Sequence, residues 1–497
     1  MPRAAGTITE QIHLRARKPS TTAQNIDRDD RTGAVTAVDP YHLDPKDVLE
    51  PPTTFAGKLK YLGPGLVISA AVIGSGELIT TTALGAKAGF VLLWLVIIST
   101  AVKVWVQLEL AQWTILAGKP ALEGYGHVGP RLIGRAGWIN LLWILMDFAK
   151  VLQRGGIIGG AVAALSIMVP VFGEPLSTPS LVFWTVVSLA VVIALLVTNR
   201  YSIVEKFSVG AVIIFTVSTV GLAISLPFTD FAYTSADVMS GLTFAVPAGT
   251  LGFAVAMFGI TGVGADEMTT YTYWCLEKGY ARYTGPNDGT AERARRARGW
   301  ISVMRTDVLV SWIVSTVCTM SFYVIGAAIL HPQNLVPEGN DMITTLSSMY
   351  SSTMGEAGHW IFLIGAFAVL FSTFIASTAS VPRLWTNTVS ILGVFDWENM
   401  RTRTRIIRVL TVIFPIIWAL SYLIIQSPVI MVQIGGVASG IFLVAVVIAV
   451  WYLRSREVPA EFKSNHFFTV MLVFASLAIG LLGIYTVFKT FGIEIGA

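Results

Sequence analysis

Charged side chains are scarce in this sequence. Asp, Glu, Lys and Arg make up 13% of its 497 residues, about half the share found in ordinary soluble domains. Hydrophobic residues reach 54%, and the mean hydropathy is +0.68. Because charged residues are too few to cover the surface of a soluble fold, we predict an all-α integral membrane protein.

Cysteine is almost absent as well. Cys275 and Cys318 are the only two, which excludes a disulfide framework and a cysteine-rich metal cluster. The six histidines are scattered, and no nucleophile–base pattern favours an enzyme. We therefore expect no cofactor, no nucleic-acid partner and no obligate protein partner. The expected partner is membrane lipid.

The first 50 residues contain no apolar segment of the kind found in a cleavable signal peptide. Residues 1–55 are polar and rich in Thr, Asp, Pro and Arg. Such a composition cannot bury a core, so it predicts a disordered cytoplasmic tail.

Long apolar segments begin near residue 61. A membrane-spanning helix needs about 20 apolar residues, and eleven segments reach that length. They lie at roughly 61–85, 88–116, 137–169, 180–199, 202–227, 247–277, 301–329, 357–386, 403–426, 428–453 and 466–491.

Lys and Arg alternate between the loops that join these spans. Residues 278–298 are rich in Arg, whereas 170–180, 228–246 and 331–356 contain neither Lys nor Arg. By the positive-inside rule, the N-terminus is cytoplasmic and the C-terminus lies outside. We expect a bacterial-type plasma membrane.

Two spans are interrupted in the same way. Residues 74–77 read Gly-Ser-Gly-Glu in the first span, and residues 262–267 read Gly-Val-Gly-Ala-Asp-Glu in the sixth. Threonines follow both interruptions. Spacing by five spans predicts inverted repeats whose broken helices meet near the membrane midplane. The expected units are repeat one (56–230), repeat two (231–455) and an additional eleventh helix (456–497).

Several motifs resemble the Nramp family of divalent-metal transporters. They occur in the family's order over most of residues 60–450. They are Gly63-Pro64-Gly65, the segment 74–77, Gly85-Ala86, Gly89-Phe90, Leu93-Trp94, Gln107, Gly118-Lys119, Glu205-Lys206, Gly259 to Tyr271, and Arg403 to Arg408 with Pro415. The resemblance implies a LeuT-like fold of two inverted five-helix repeats with one extra helix.

The sequence departs from that family at its metal site. The family's first break reads Asp-Pro-Gly-Asn, with Asp and Asn as metal ligands; here Gly74 and Glu77 take those positions. The family's sixth-span Met-Pro-His corresponds to Asp266, Glu267 and Met268. The resemblance therefore implies that the sulfur ligand and the proton-handling His are missing.

The acids at the two breaks suggest an all-oxygen metal site. Its candidate ligands are Glu77, Asp266 and the carbonyls of Gly74 and Val263. Such a site suits a hard cation, with Mg²⁺ or Mn²⁺ favoured and Ca²⁺ an alternative. Glu267, one residue beyond Asp266, either joins the site or faces a vestibule.

A second group of residues is assigned to coupling or gating. Asp147 and Lys150 stand where the family has paired acids linked to proton movement, and Arg154 lies on the same helix face. Either Lys150 alters or abolishes proton coupling, or Asp147 and Lys150 form a structural ion pair. Two sixth-span residues complete this group: Met268, and Thr269, whose hydroxyl either binds the ion or bonds the preceding turn.

The predicted function is thus divalent-cation transport by alternating access. One alternative is a LeuT-fold carrier of an organic solute, because residues 73–76 also resemble the Gly-Ser break of amino-acid and polyamine transporters. The other is a non-transporting sensor, for which the chain offers no signalling domain.

Overall fold

The computed structural model describes residues 26–28, 35–37, 39–197 and 201–490. Residues 1–38 form a unit of their own, in which the strands Ile26–Arg28 and Val35–Ala37 pair antiparallel. The disorder expected for the rest of that unit, and the final residues after 490, lie outside the described part. The second unit, Asp39–Ala497, is mainly helical.

Helices follow the predicted spans closely. The first span is Pro64–Val72, Ile73–Thr81 and Thr82–Ala88, and the sixth is Leu251–Ile260 and Ala265–Lys278. The others are, in order, Leu93–Ala117, Trp138–Met168, Thr178–Val197, Tyr201–Ser225, Ala291–Ile325 continued by Gly326–Leu330, Met342–Ile391, Met400–Ile425, Pro428–Arg456 and His466–Thr490. Gly355, with φ +63°, divides Met342–Ile391 into two helices, and the second of these corresponds to the predicted eighth span.

Short elements join the spans. The α-helical turns are Phe55–Leu59, Ala121–Tyr125 and Ser235–Ser240. The 3₁₀ turns are Pro45–Asp47, Gly89–Leu92, Leu226–Phe228, Arg282–Thr284, Gly339–Asp341 and Ala460–Phe462. The strands Arg131–Ile133 and Ala136–Gly137 form a small hairpin before the third span.

Within the described residues, nine helical stretches are long and apolar enough to cross a membrane. One of them, Gly76–Ala117, contains the end of the first span and all of the second. The fifth span adds a shorter apolar stretch, Ile213–Phe228. The structure therefore agrees with about eleven spans in a multi-pass integral membrane protein.

The segment before the first span differs from the predicted tail. Asp39 pairs with Arg403 at 2.7 Å, and the Tyr41 hydroxyl donates to Glu277 at 2.8 Å. The Trp300 indole donates to the Leu49 carbonyl at 2.9 Å. These contacts hold residues 39–49 against the ends of the sixth, seventh and ninth spans. The prediction of a disordered tail is therefore wrong for residues 39–49, which are held by contacts with the helices.

Small residues bring the sixth span close to the tenth. A Cβ added at Gly259 would lie 1.8 Å from the Gly436 carbonyl oxygen. Likewise, a Cβ at Gly85 in the first span would lie 2.5 Å from the Tyr323 carbonyl oxygen of the seventh. Contacts between glycines and backbone are a common means of packing membrane helices. They fix the two interrupted spans against the rest of the bundle.

Candidate functional site

The first interruption is a π-helix and not the unwound segment that the sequence suggested. Ile73–Thr81 winds as a π-helix between two α-helical segments. The Thr81 hydroxyl donates to the Gly76 carbonyl at 3.0 Å, and the Thr82 hydroxyl donates to the Glu77 carbonyl at 3.2 Å. The threonines thus bond carbonyls that a break would have left open. Such π-helical turns often mark functional sites.

The sixth interruption is a true break. The helix ends at Ile260, Thr261 is extended (φ −68°, ψ 140°), and a new helix begins at Ala265. Gly262 has φ +77°, a left-handed conformation that favours glycine. Backbone groups at this break leave the helical hydrogen-bond pattern and become available to other partners.

The two interruptions meet, as the repeat pattern predicted. The Glu77 Oε1 atom accepts hydrogen bonds from the Gly262 amide at 3.0 Å and the Thr319 hydroxyl at 2.7 Å. The Thr81 and Thr261 hydroxyls lie 3.0 Å apart. Glu77 is fully buried, so its carboxylate joins the first, sixth and seventh spans inside the protein.

Asp266 and Glu267 begin the second half of the sixth span and face cations of the third. The Lys150 ammonium lies 3.1 Å from Asp266 and 3.4 Å from Glu267. The Arg154 guanidinium lies 3.1 Å from Asp266 and 2.6 Å from Asp147. Asp147 therefore pairs with Arg154, and the predicted Asp147–Lys150 ion pair is wrong. Both cations reach across to the neighbouring span.

A cavity of ≈ 40 Å³ opens beside this cluster. It lies between the first, third, sixth and eighth spans and is lined in part by Lys150, Arg154, Asp266 and Glu267. That space is enough for a few water molecules or a partly hydrated ion. Glu77 does not line this cavity. The predicted ligands are thus divided between the cavity and the break.

Three carboxylates, one at the break and two beside the cavity, each have one oxygen that is bonded and one oxygen without a partner. Among the described residues, Glu77 Oε2, Asp266 Oδ1 and Glu267 Oε2 are buried without a hydrogen-bond partner. Buried polar atoms are normally satisfied, and exceptions often mark a ligand or water position. Within the same part of the chain, no three His, Cys, Asp or Glu residues are grouped to hold a metal ion.

The remaining predicted residues have varied surroundings. A Cβ at Gly74 would lie 2.2 Å from the Thr373 hydroxyl, so close packing against the eighth span leaves no room for a side chain. Val263 lies within the break and is 9% exposed, while Met268 is fully buried in the apolar core. The Thr269 hydroxyl donates to the Ala265 carbonyl at 2.8 Å, bonding the preceding turn.

Two residues that were not predicted from the sequence also contact the interruptions: Lys103 contacts the sixth-span break, and Thr319 contacts Glu77 in the first interruption. Lys103 donates to the carbonyls of Phe258 and Thr261. A lysine in the middle of a long apolar segment is costly, and this signal was present in the sequence. Thr319 donates to Glu77, but a threonine in an apolar helix carries no comparable signal.

Paired interruptions, buried carboxylates and a cavity between the first, third, sixth and eighth spans are features of the LeuT-like fold. A family model described as natural resistance-associated macrophage protein-like matches residues 65–489. The chain therefore belongs to the Nramp family, a family of membrane transporters.

Individual relatives agree with this assignment. The chain is 23% identical over 450 residues to the divalent metal cation transporter MntH of Verminephrobacter eiseniae, covering 88% of this chain and 91% of that protein. It is 25% identical over 353 residues to an uncharacterized protein of Pasteurella multocida, covering 70% and 74%. The manganese transporter of Eremococcus coleocola shares the fold, with a TM-score of 0.63, 15% identity, and coverage of 92% and 94%.

Proposed function

We propose that this protein is a secondary carrier that moves a hard divalent cation, Mg²⁺ or Mn²⁺, by alternating access. The observation that supports this most strongly is the set of unpartnered carboxylate oxygens at Glu77, Asp266 and Glu267. Carboxylate oxygens are the ligands that hard cations prefer. Family membership and the name of the Verminephrobacter relative agree with a divalent metal as substrate.

The cavity lining favours a hard cation over a soft one. Among the described residues that line it, none is methionine, cysteine or histidine. Met268 is enclosed in the apolar core and does not line the cavity. Soft sulfur ligands select transition metals such as Cu(I), whereas oxygen ligands suit Mg²⁺, Ca²⁺ and Mn²⁺. We therefore place the substrate at Asp266 and Glu267, with Glu77 at the adjoining break.

The side chains around the cavity have only a small net negative charge. Asp147, Asp266 and Glu267 oppose Lys150 and Arg154, so the ionised cluster has a net charge of −1. With an effective dielectric constant of about 20, a divalent ion some 4 Å away would be attracted by roughly 8 kcal/mol before dehydration. Neutralising one carboxylate removes that attraction, so each should be essential for binding.

The same cluster supports altered proton coupling. Lys150 holds Asp266 and Glu267, and Arg154 holds Asp147 and Asp266. These two side chains thus pair with one oxygen of each acid that a proton pathway would use. We propose that divalent-cation uptake does not require a proton gradient.

Uptake into proteoliposomes tests the proposal. Purified protein should take up radioactive Mn²⁺ in competition with Mg²⁺, and the lumen should not acidify. Asp266→Asn and Glu267→Gln should each lower uptake at least about tenfold, the effect of roughly 1.4 kcal/mol in binding. Glu174→Gln removes an exposed carboxylate and should transport normally. If both cavity variants transport normally, the cavity is not the cation site.

A second candidate function is transport of a zwitterionic organic solute such as an amino acid. The cavity is lined by both positively and negatively charged side chains. Among the described residues, Arg154 Nη1 is buried without a hydrogen-bond partner. That guanidinium nitrogen suits a substrate carboxylate, while Asp266 and Glu267 suit an amino group. Saturable uptake of a labelled amino acid, with no uptake of Mn²⁺, would favour this function over the first.

A further inference from the structure

Lys103 is buried in the middle of the second span, Leu93–Ala117, with 1% of its surface exposed. Its ammonium donates to the Phe258 carbonyl at 2.8 Å and to the Thr261 carbonyl. It also lies 5.2 Å from the centre of the Phe258 ring, a cation–π contact. A buried ammonium is costly unless its partners satisfy it, and the two carbonyls and the Phe258 ring are the partners that the structure supplies.

The acceptors are the carbonyls at the end of the first half of the sixth span. Because the helix stops at Ile260, these carbonyls have no amides in a following helical turn to bond. The C-terminal end of a helix also carries partial negative charge. In transporters with broken helices, unwound carbonyls and half-helix C-termini coordinate the coupling cation. Here the protein's own ammonium bonds them.

The protein also supplies a negatively charged group at this break. Glu77 accepts the Gly262 amide at 3.0 Å, on the other side of the Thr261 carbonyl that Lys103 bonds. The break therefore has a fixed cation on its carbonyls and a fixed carboxylate on its amide. This cation is separate from Lys150 and Arg154, which line the cavity.

We propose that Lys103 is a built-in substitute for a soluble coupling cation. Its ammonium occupies the carbonyl site at the sixth-span break, so substrate transport requires neither Na⁺ nor K⁺. Removing the ammonium exposes a site for a small monovalent cation at the same carbonyls. This inference rests on the proposed function for its transport readout, whereas cation binding to the purified protein tests it independently.

Transport in defined salts is the first test. Wild-type proteoliposomes should take up Mn²⁺ equally in NaCl, KCl or N-methylglucamine chloride. Lys103→Met keeps the length of the side chain without its charge, and its uptake should fall at least about tenfold in N-methylglucamine and recover in saturating Na⁺ or K⁺. Lys103→Arg, which retains a cation, should stay independent of salt.

A structural hydrogen bond alone would not produce that salt dependence. Ser99→Ala is a matched control, one turn earlier on the same helix. It removes a buried hydroxyl that has no hydrogen-bond partner among the described residues, and its uptake should match wild type in every salt. A wild-type requirement for Na⁺ or K⁺ would overturn the proposal, and so would a Lys103→Met protein that transports equally well without them.

Binding of radioactive Na⁺ or Rb⁺ to detergent-purified protein is the second test. Wild type should bind neither ion above background, whereas Lys103→Met should bind one of them saturably. If wild type binds an ion as tightly as the variant, Lys103 does not occupy the cation site. Should wild-type Mn²⁺ uptake be absent in all salts, the proposed substrate is wrong, and the binding result still decides the role of Lys103.

Discussion

At the scale of single residues, the candidate site is defined by which charges are paired. Asp147 and Lys150 are three residues apart on one helix, yet each bonds a different partner. Lys150 reaches the sixth span, and Asp147 pairs with Arg154 and accepts the Trp385 indole at 2.5 Å. Spacing along a helix shows which side chains share a face. It does not show whether a neighbouring helix offers a better partner.

Lys150→Met separates the two candidate functions. The change raises the net negative charge around Asp266 and Glu267, so a divalent-cation carrier should bind Mn²⁺ more tightly. An amino-acid carrier should not gain affinity in this way, because a zwitterion has no net charge and its carboxylate, bound at Arg154, is repelled by the added negative charge. Mn²⁺ and amino-acid titrations on the purified variant measure both effects.

Breaking buried ion pairs is itself destabilising, by about 3–5 kcal/mol, so Lys150→Arg serves as the control that retains the charge. The variant's thermal melting must be recorded alongside binding. Weaker Mn²⁺ binding by a folded Lys150→Met protein would argue against the cluster as a cation site.

At the scale of the elements, the interrupted spans depend on close backbone packing. Gly259→Ala would place a methyl group 1.8 Å from the Gly436 carbonyl oxygen. Because both groups belong to helix backbones, the sixth and tenth spans would have to separate. We expect most of the protein to aggregate or to melt far below wild type, as size-exclusion chromatography and thermal melting would show.

Gly252→Ala is the matched control for that substitution. It lies on the same half-helix, and a Cβ there meets nothing within 4 Å. Alanine also favours a helix over glycine by roughly 1 kcal/mol, so this variant should be at least as stable as wild type. Equal behaviour of the two variants would show that the close approach does not matter.

The start of the first span is held by a residue of the seventh. Asp307 accepts hydrogen bonds from the amides of Gly63 at 3.0 Å and Gly65 at 2.6 Å, and from the Tyr271 hydroxyl at 2.9 Å. Asp307→Ala removes both acceptor oxygens and with them all three hydrogen bonds, whereas Asp307→Asn keeps one carboxamide oxygen.

We expect amide hydrogen exchange at residues 63–67 to speed up strongly in Asp307→Ala and less in Asp307→Asn. The physical reason is that unbonded N-terminal amides of a helix open more readily. Exchange around residues 466–480, in the eleventh span, should not change. Unchanged protection at 63–67 in the alanine variant would show that Asp307 does not hold the helix start.

Much of this architecture was predictable because membrane helices leave strong signals in sequence. The spans followed from apolar length, and the meeting of residues 74–77 with 262–267 followed from the repeat. The form of the first interruption did not, because the hydroxyls of Thr81 and Thr82 bond its carbonyls and retain a π-helix. Glu77 does not line the cavity beside Asp266. This separation depends on how side chains pack between the spans, which a local sequence pattern does not show.

At the scale of the whole molecule, orientation is the main untested prediction. Loop charges predict that the N-terminus lies in the cytoplasm, and the repeat boundaries at 56–230 and 231–455 are predictions as well. Cysteine labelling tests the orientation well, because Cys275 and Cys318 are both buried. Glu338 and Asn287 are exposed and lie on loops predicted to face opposite sides.

An impermeant maleimide should label Glu338→Cys on intact cells, and Asn287→Cys only after the cells are permeabilised. The unmodified protein, with its two buried thiols, is the background control. Labelling of Asn287→Cys on intact cells, with Glu338→Cys protected, would reverse the proposed topology.

Anomalous diffraction from crystals grown with Mn²⁺ can locate the transported cation in the cavity beside Asp266 and Glu267, because manganese gives a signal that water and Mg²⁺ lack. We predict an anomalous peak in that cavity, in contact with Asp266 Oδ1 and Glu267 Oε2. A well-occupied peak elsewhere in the protein, with none in the cavity at saturating Mn²⁺, would show that the cavity is not the cation site.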